Sequence, residues 1–157
     1  MFCPFCDTKI KSTVFATDDQ FLAIYNLAPI LPGHSLIIPR RHICSVMELN
    51  DAELSEMMIF ARKVTDLLLT AFNAEAFNWS IQEKEAAGQS LAHLHLHIVP
   101  RYRGDLQEPG NWYPQIKNNY KDILDSGKRQ KLSQHEMQQI VYRLRQLAKE
   151  KKLFNSD

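Results

Sequence analysis

Three histidines occupy alternate positions in His93-Leu94-His95-Leu96-His97-Ile98-Val99, and this pattern constrains the chain more than any other feature. A period of two belongs to an extended strand, whose successive side chains point to opposite faces. The spacing therefore predicts a strand over Leu91–Pro100 with the three imidazoles on one face and Leu94, Leu96 and Ile98 on the other. The apolar face anchors the strand to a core, which leaves the histidine face for chemistry. Three uses of that face are open. It can be polar surface without a role. It can bind metal, because a His-x-His pair with one further ligand holds zinc and leaves a coordination position free. Or the central ring can attack phosphorus through a neutral nitrogen while a neighbour fixes its tautomer. Gly88-Gln89-Ser90, just upstream, favours the last use. It offers backbone amides, a carboxamide and a hydroxyl to a phosphate whose charge rises in the transition state. Taken alone, Gly-Gln-Ser is more often a turn.

The remaining segments predict an α+β framework. Val14–Thr17 and Phe21–Tyr25 flank the polar cluster Asp18-Asp19-Gln20 and read as a hairpin. Pro32-Gly33 breaks the chain before Ser35–Pro39, a third strand ending at Arg40-Arg41-His42. From Asp51 to Phe72 the residues Leu54, Met57, Met58, Ala61, Val64, Leu67, Leu68 and Ala71 recur at helical spacing. Asn50 and Glu53 form a capping pair at the start of this helix. Phe77–Gln82 is a further strand, Glu83–Gln89 a turn, and 103–114 a loop rich in Gly and Pro. A second helix opens at Ser133, with Glu136 three residues on, and runs to about Lys151, where the cations of Lys149-Glu150-Lys151-Lys152 suit its C-terminal dipole. The expected fold is an antiparallel sheet of about five strands, one long helix and a C-terminal helix whose placement the sequence leaves open.

The composition is that of an ordinary globular chain, 45% hydrophobic and 24% charged. Nineteen Lys and Arg face eighteen Asp and Glu, so net charge argues for no nucleic-acid partner. No long uncharged apolar run is present, which argues against a membrane span, and Met1-Phe2-Cys3-Pro4 lacks the regions of a signal peptide. The expectation is a single cytoplasmic domain, residues 1–157, with reduced thiols. Three cysteines are an odd count and argue for thiols or metal ligands rather than a disulfide framework. Cys3-Pro4-Phe5-Cys6 is a pair that needs two more ligands to hold a structural zinc, and a redox pair is its rival. His42 and His93 are the candidates to complete it. Cys44 is an alternative ligand, with burial as a small apolar residue the commoner role.

Gly88-Gln89-Ser90-Leu-Ala-His93-Leu-His95-Leu-His97-Ile-Val-Pro-Arg101 resembles the signature of the histidine triad superfamily. Asn26-Leu-Ala-Pro-Ile-Leu-Pro32-Gly33-His34 resembles that family's nucleoside-binding hairpin, so the resemblance spans roughly 14–103. It leaves an N-terminal Cys-x-x-Cys element at 1–10 and an extension at 104–157. It implies that His95 attacks the α-phosphate of a nucleotide and forms a covalent nucleotidyl-imidazole that water resolves. His97, Gln89, Ser90, His34 and Gln82 would then contact the substrate, Asn26 would hold the ribose, and apolar side chains near Leu22 and Ile24 would line the base pocket. Gln82, Glu85–Gln89 and Val99-Pro100-Arg101 with Gly104-Asp105 are similar to the fragile histidine triad branch, whose members cleave diadenosine tri- or tetraphosphate to AMP and the remaining nucleotide. A nucleoside phosphoramidase or a nucleotidyl transferase using the same histidine is the alternative, and a nucleotide-binding regulatory module the alternative of another class. Bacterial members are similar in carrying a structural zinc on two cysteines, a distant histidine and the first triad histidine, here Cys3, Cys6, His42 and His93. The resemblance also implies a homodimer built across the long helix and a neighbouring strand, and Mg²⁺ accompanying the polyphosphate. Arg101 and Arg103 are candidate partners for the phosphate tail, and Trp112 and Tyr113 for a second base, although such loop residues more often have no such role.

Overall fold

A computed structural model of the chain describes residues 2–105 and 129–154. Five strands form one antiparallel sheet: β1 (Val14–Thr17), β2 (Phe21–Tyr25), β3 (Ser35–Pro39), β4 (Ala76–Ile81) and β5 (Leu96–Arg101), in the spatial order β1-β2-β3-β5-β4. The helices are α1 (Asp51–Phe72), between β3 and β4, and α2 (Gln134–Glu150) at the C-terminal end. The fold is the expected α+β arrangement. The β1–β2 hairpin turns on Asp18, whose carboxylate accepts the backbone N–H groups of Gln20 and Phe21. At the second turn Gly33 has φ +86°, and a Cβ there would meet Pro100 Cγ at 2.7 Å, so neither the backbone conformation nor the space admits a side chain.

The strand register sorts side chains onto two faces. Ala23, Ile37, Leu96 and Ile81 are cross-strand neighbours on the face that packs against the helices. α1 contributes Met57, Phe60, Ala61, Val64, Leu67, Leu68 and Ala71 to that core, and α2 adds Met137, Val141, Leu144 and Ala148. Each fully buried aliphatic or aromatic side chain of this kind stabilises the fold by roughly 1.5–3 kcal/mol. Asn50 and Glu53 form the capping box that starts α1, as Ser133 and Glu136 do for α2. On the opposite face Val14, Ile24, Leu36, His97 and Ser80 form the matching row. Its apolar part, Val14, Ile24, Leu36 and Ile38, is covered by Phe5 and Ile10 from the N-terminal segment. One face of the sheet thus builds the core and the other is left for the site.

The structure differs from the sequence reading in three places. β4 runs one residue earlier than expected, from Ala76 to Ile81. Leu54 faces out of α1 at 38% exposure. β5 begins at Leu96, not Leu91: the preceding residues leave the ladder, and Leu94 N–H instead donates to the carbonyl of Ile43 in the loop after β3. No helix among the described residues is long and apolar enough to cross a membrane. Trp112 and Tyr113 lie outside the described residues.

Candidate functional site

The three histidines gather on the side of the sheet that Phe5 covers, although only His97 stands within β5, and each is held differently. His95 turns its Nδ1 onto the carbonyl of His93 at 2.8 Å. A carbonyl only accepts, so this bond places the proton on Nδ1 and leaves the Nε2 lone pair free. Burial pushes the pKa of His95 down, opposed by that carbonyl and by the charge of Glu83. The result is a neutral imidazole with one bare nitrogen, on a residue that lines a cavity of about 540 Å³.

His97 is fixed by a relay from the turn before β3. The Ile30 N–H donates to His34 Nδ1 at 3.1 Å, so the proton of neutral His34 sits on Nε2. That nitrogen is 2.9 Å from His97 Nδ1, which must accept. His97 therefore carries its proton on Nε2 and offers it as a donor, beside the bare nitrogen of His95. The two rings lie 4.9 Å apart, nearly edge-on. Burial lowers the pKa of His97 to about 3, helped by its His95 and Arg129 neighbours, and lowers that of His34 well below the usual histidine range. His34 is fully buried and does not line the cavity, so its place is behind His97 rather than against a ligand.

The other expected contact residues divide in the same way. Asn26, Gln82, Gly88 and Ser90 line the cavity, as does Ile24. Asn26 uses its Oδ1 to accept from Ala28 N–H, which leaves its Nδ2 near His34. Gln89 does not line the cavity. Its carboxamide clamps the preceding turn, accepting from Lys84 N–H at 2.7 Å and donating to the Cys44 carbonyl at 2.8 Å. Leu22 packs against the apolar patch without reaching the cavity. Arg101 is not a partner for a phosphate tail: its guanidinium is buried and spent on both oxygens of Asp105 and on Asn78 Oδ1. Arg103 is exposed and pairs with Glu75. The sequence reading missed Lys9, Arg129 and Lys131, three cations in the cavity wall. It also missed Phe5, which lines the cavity and meets both His93 and His95 edge-on, at 5.5 and 5.6 Å. Nothing in their local sequence marks them, because they arrive from segments remote from the signature.

Cys3, Cys6, His42 and His93 converge, with their ligand atoms all within 4.8 Å of one another. Cys3 Sγ is 3.4 Å from His93 Nδ1, and Cys6 Sγ is 3.4 Å from His42 Nδ1 and 3.6 Å from His93 Nδ1. Zinc–sulfur and zinc–nitrogen bonds at the tetrahedral angle put those atoms ~3.6 Å apart, so the cluster fits that ion. The far nitrogen of His93 lies 3.0 Å from the Pro39 carbonyl, which keeps the proton there and turns the Nδ1 lone pair toward the thiols. Cys44 stands outside the cluster. It is exposed rather than buried, lies 4.0 Å from the other nitrogen of His42 and donates to the Ala92 carbonyl.

A model of the HIT domain matches residues 7–104. The chain is 36% identical over 115 residues to the asymmetrical bis(5'-nucleosyl)-tetraphosphatase of Schizosaccharomyces pombe, a match covering 73% of this chain and 63% of that protein. It is 30% identical over 142 residues to the bis(5'-adenosyl)-triphosphatase of Dictyostelium discoideum, covering 90% of this chain and 89% of that one. The chain therefore spans less than two thirds of the fission yeast relative and most of the slime mould one. Among solved structures, a hypothetical histidine triad nucleotide-binding protein from Sulfolobus tokodaii shares the fold, with a TM-score of 0.74 over 96% of this chain and 94% of that one at 23% identity.

Proposed function

The chain belongs to the HIT (histidine triad) domain family, and from that premise we propose that it hydrolyses dinucleoside polyphosphates, with His95 as the nucleophile. The observation that carries the reading is the Nδ1 bond of His95 to the His93 carbonyl, which leaves Nε2 unprotonated on a ring that lines the cavity. In the first step Nε2 forms a bond to the α-phosphorus, and the anhydride bond breaks on the far side to release a nucleoside polyphosphate. The Nε2–H of His97, the Ser90 hydroxyl and the backbone at Gly88 would donate to the phosphate oxygens. In the second step water displaces the imidazole, giving a nucleoside monophosphate and restoring neutral His95. Asn26 would hold the ribose, and Gln82 would contact the phosphate side. His34 would act only through His97, and Gln89 by shaping the turn that carries Gly88 and Ser90.

The Cys3, Cys6, His42 and His93 cluster is read as the seat of one structural zinc. A closed set of four protein ligands suits that role, and the bound ion would cross-link the Cys-Pro-Phe-Cys turn to the catalytic strand. Mg²⁺ would enter with the polyphosphate, neutralising its charge. A homodimer across α1 and β4 completes the reading.

The test is product analysis with diadenosine tri- and tetraphosphate and Mg²⁺, with His95→Ala alongside. AMP together with ADP or ATP from the native protein, and at least about 10³-fold less from the variant, is the expected result. Cleavage of a nucleoside phosphoramidate but of neither polyphosphate would move the substrate class. Equal turnover by both proteins would remove His95 as nucleophile.

A further inference from the structure

Lys84 is held in a backbone conformation that its own Cβ disfavours. Among the described residues, three other than glycine have positive φ: Asn73, Lys84 and Lys152. Asn73 caps the C-terminal end of α1 and Lys152 follows the cap of α2, positions where a left-handed residue is ordinary. Lys84 is different. With φ 64° and ψ 173° it lies outside the left-handed helical region, in one that glycine occupies almost alone. A side-chain-bearing residue stays there only where its surroundings over-determine it.

Gln89 supplies that constraint. Its Oε1 accepts from the Lys84 N–H at 2.7 Å, and its own backbone N–H donates to the Lys84 carbonyl at 3.0 Å, so both polar groups of the Lys84 backbone are bonded to one residue. Ala87 N–H donates to the same carbonyl at 3.2 Å. The Nε2 of Gln89 donates to the Cys44 carbonyl at 2.8 Å, and Glu83, just before Lys84, accepts from Val46 N–H at 2.8 Å. The turn is therefore closed on itself and fastened at both ends to the segment 44–46. Gly88 and Ser90, which flank Gln89, line the cavity, whereas Lys84 and Gln89 do not. Lys84 is exposed, and its link to the site runs through its backbone.

We propose that Lys84 and Gln89 form a strained latch that holds Gly88 and Ser90 in place for the phosphate under attack. Both are positioning residues. Gln89 keeps Lys84 at positive φ; without it Lys84 returns to an ordinary conformation, the turn is redirected, and the donors at Gly88 and Ser90 leave the cavity wall. Donors fixed beforehand cost no reorganisation when charge rises on the phosphate, which is the task the latch performs. This rests on the nucleotide reading given above and adds to it a role for backbone strain at a residue that does not line the cavity.

The experiment restores the turn without the latch. AMP is titrated calorimetrically into the full native chain, into Gln89→Ala, and into Gln89→Ala combined with either Lys84→Gly or Lys84→Ala, with kcat and KM for diadenosine triphosphate measured beside each. Gln89→Ala should weaken AMP by about tenfold, the scale of a lost hydrogen bond to a charged group, and lower kcat by a larger factor than it raises KM. Adding Lys84→Gly should recover about threefold or more of the affinity, because glycine takes positive φ without a Cβ penalty. Adding Lys84→Ala should recover none, because alanine keeps the Cβ and loses only the ammonium chain. Should Gln89→Ala fail to fold, Lys84→Val takes its place: branching at Cβ is tolerated least at positive φ, so AMP should weaken with Gln89 intact, and unchanged affinity would overturn the proposal. Undiminished AMP binding by Gln89→Ala, recovery by neither second change, or equal recovery by both overturns the latch and leaves the nucleotide reading standing. If AMP does not bind to the native chain, both fall.

Discussion

At the scale of single residues, the site is a set of tautomers imposed by backbone groups. One carbonyl fixes His95, one amide fixes His34, and His34 in turn fixes His97. The cost is two buried imidazoles that resist protonation. An unfolded histidine titrates near 6.5, while His97 in the fold titrates at about 3 and His34 is also far below its usual value. Between those values the unfolded chain binds protons that the folded chain does not, so stability falls as pH drops from about 6.5 toward 3 and is unaffected by these groups above that window. Each such group adds about 1.4 kcal/mol of slope per pH unit. Urea unfolding at pH 7.5 and pH 5.0 should show His97→Asn reducing the slope by about one proton; an unchanged slope would mean His97 charges freely in the fold. Gln89 gives a contrasting prediction. Its carboxamide makes two bonds to backbone and none to the cavity, so Gln89→Ala should lower stability by about 1–3 kcal/mol in the same assay. Any loss of activity should follow from movement of Gly88 and Ser90. A variant of full stability with weakened substrate binding would return Gln89 to direct contact.

At the scale of elements, what the sequence reveals depends on how local the cause is. α1 was legible to the residue at both ends and α2 at its start, because capping boxes and helical spacing are written within a turn of where they act. The first three strands were legible for the same reason. β5 was not legible at its start. Alternation runs unbroken through His93 and His95, but the chain there is pulled away by the Leu94 bond to Ile43 and by His93, which joins the Cys3–Cys6 turn. Those partners lie about fifty and ninety residues away, and no periodicity records them. The N-terminal element is the clearest case: Pro4, Phe5, Lys9 and Ile10 form one wall of the cavity, and the Cys/His cluster links the element to the residues just before β5. Loss of metal should therefore reach the nucleotide site. Metal analysis should give one zinc per chain, and none with Cys3→Ser/Cys6→Ser. Chelation or that variant should lower the melting temperature and weaken AMP binding together, since Phe5 would no longer be held against His95. A metal-free protein with unchanged AMP affinity would show that this wall stands without the cluster.

At the scale of the whole molecule, the two edges of the sheet are treated differently. An exposed edge strand offers unpaired backbone groups and is normally covered or paired. At the β1 edge the Arg145 guanidinium, reaching over from α2, occupies the carbonyls of Val14 and Lys11. β4, at the other edge, has no described strand or helix lying along its outer side, and it presents Phe77 at 43% exposure. On the outer surface of α1, Leu54 and Ile59 are 38% and 48% exposed. A second copy paired along β4 would continue the sheet and bury these side chains, and the triad strand β5, next to β4, would then lie near the middle of a larger sheet. Light scattering should accordingly give about twice the chain mass of 18.2 kDa. Phe77→Lys should halve that value without unfolding the protein, because Phe77 belongs to neither core cluster. The variant also separates two roles of the edge. If the monomer keeps its nucleotide affinity, pairing serves stability alone; if affinity falls with assembly, β4 transmits the contact through Ser80, which faces His97 across the ladder. A native protein that is monomeric at high micromolar concentration would leave the β4 edge covered by something other than its own copy.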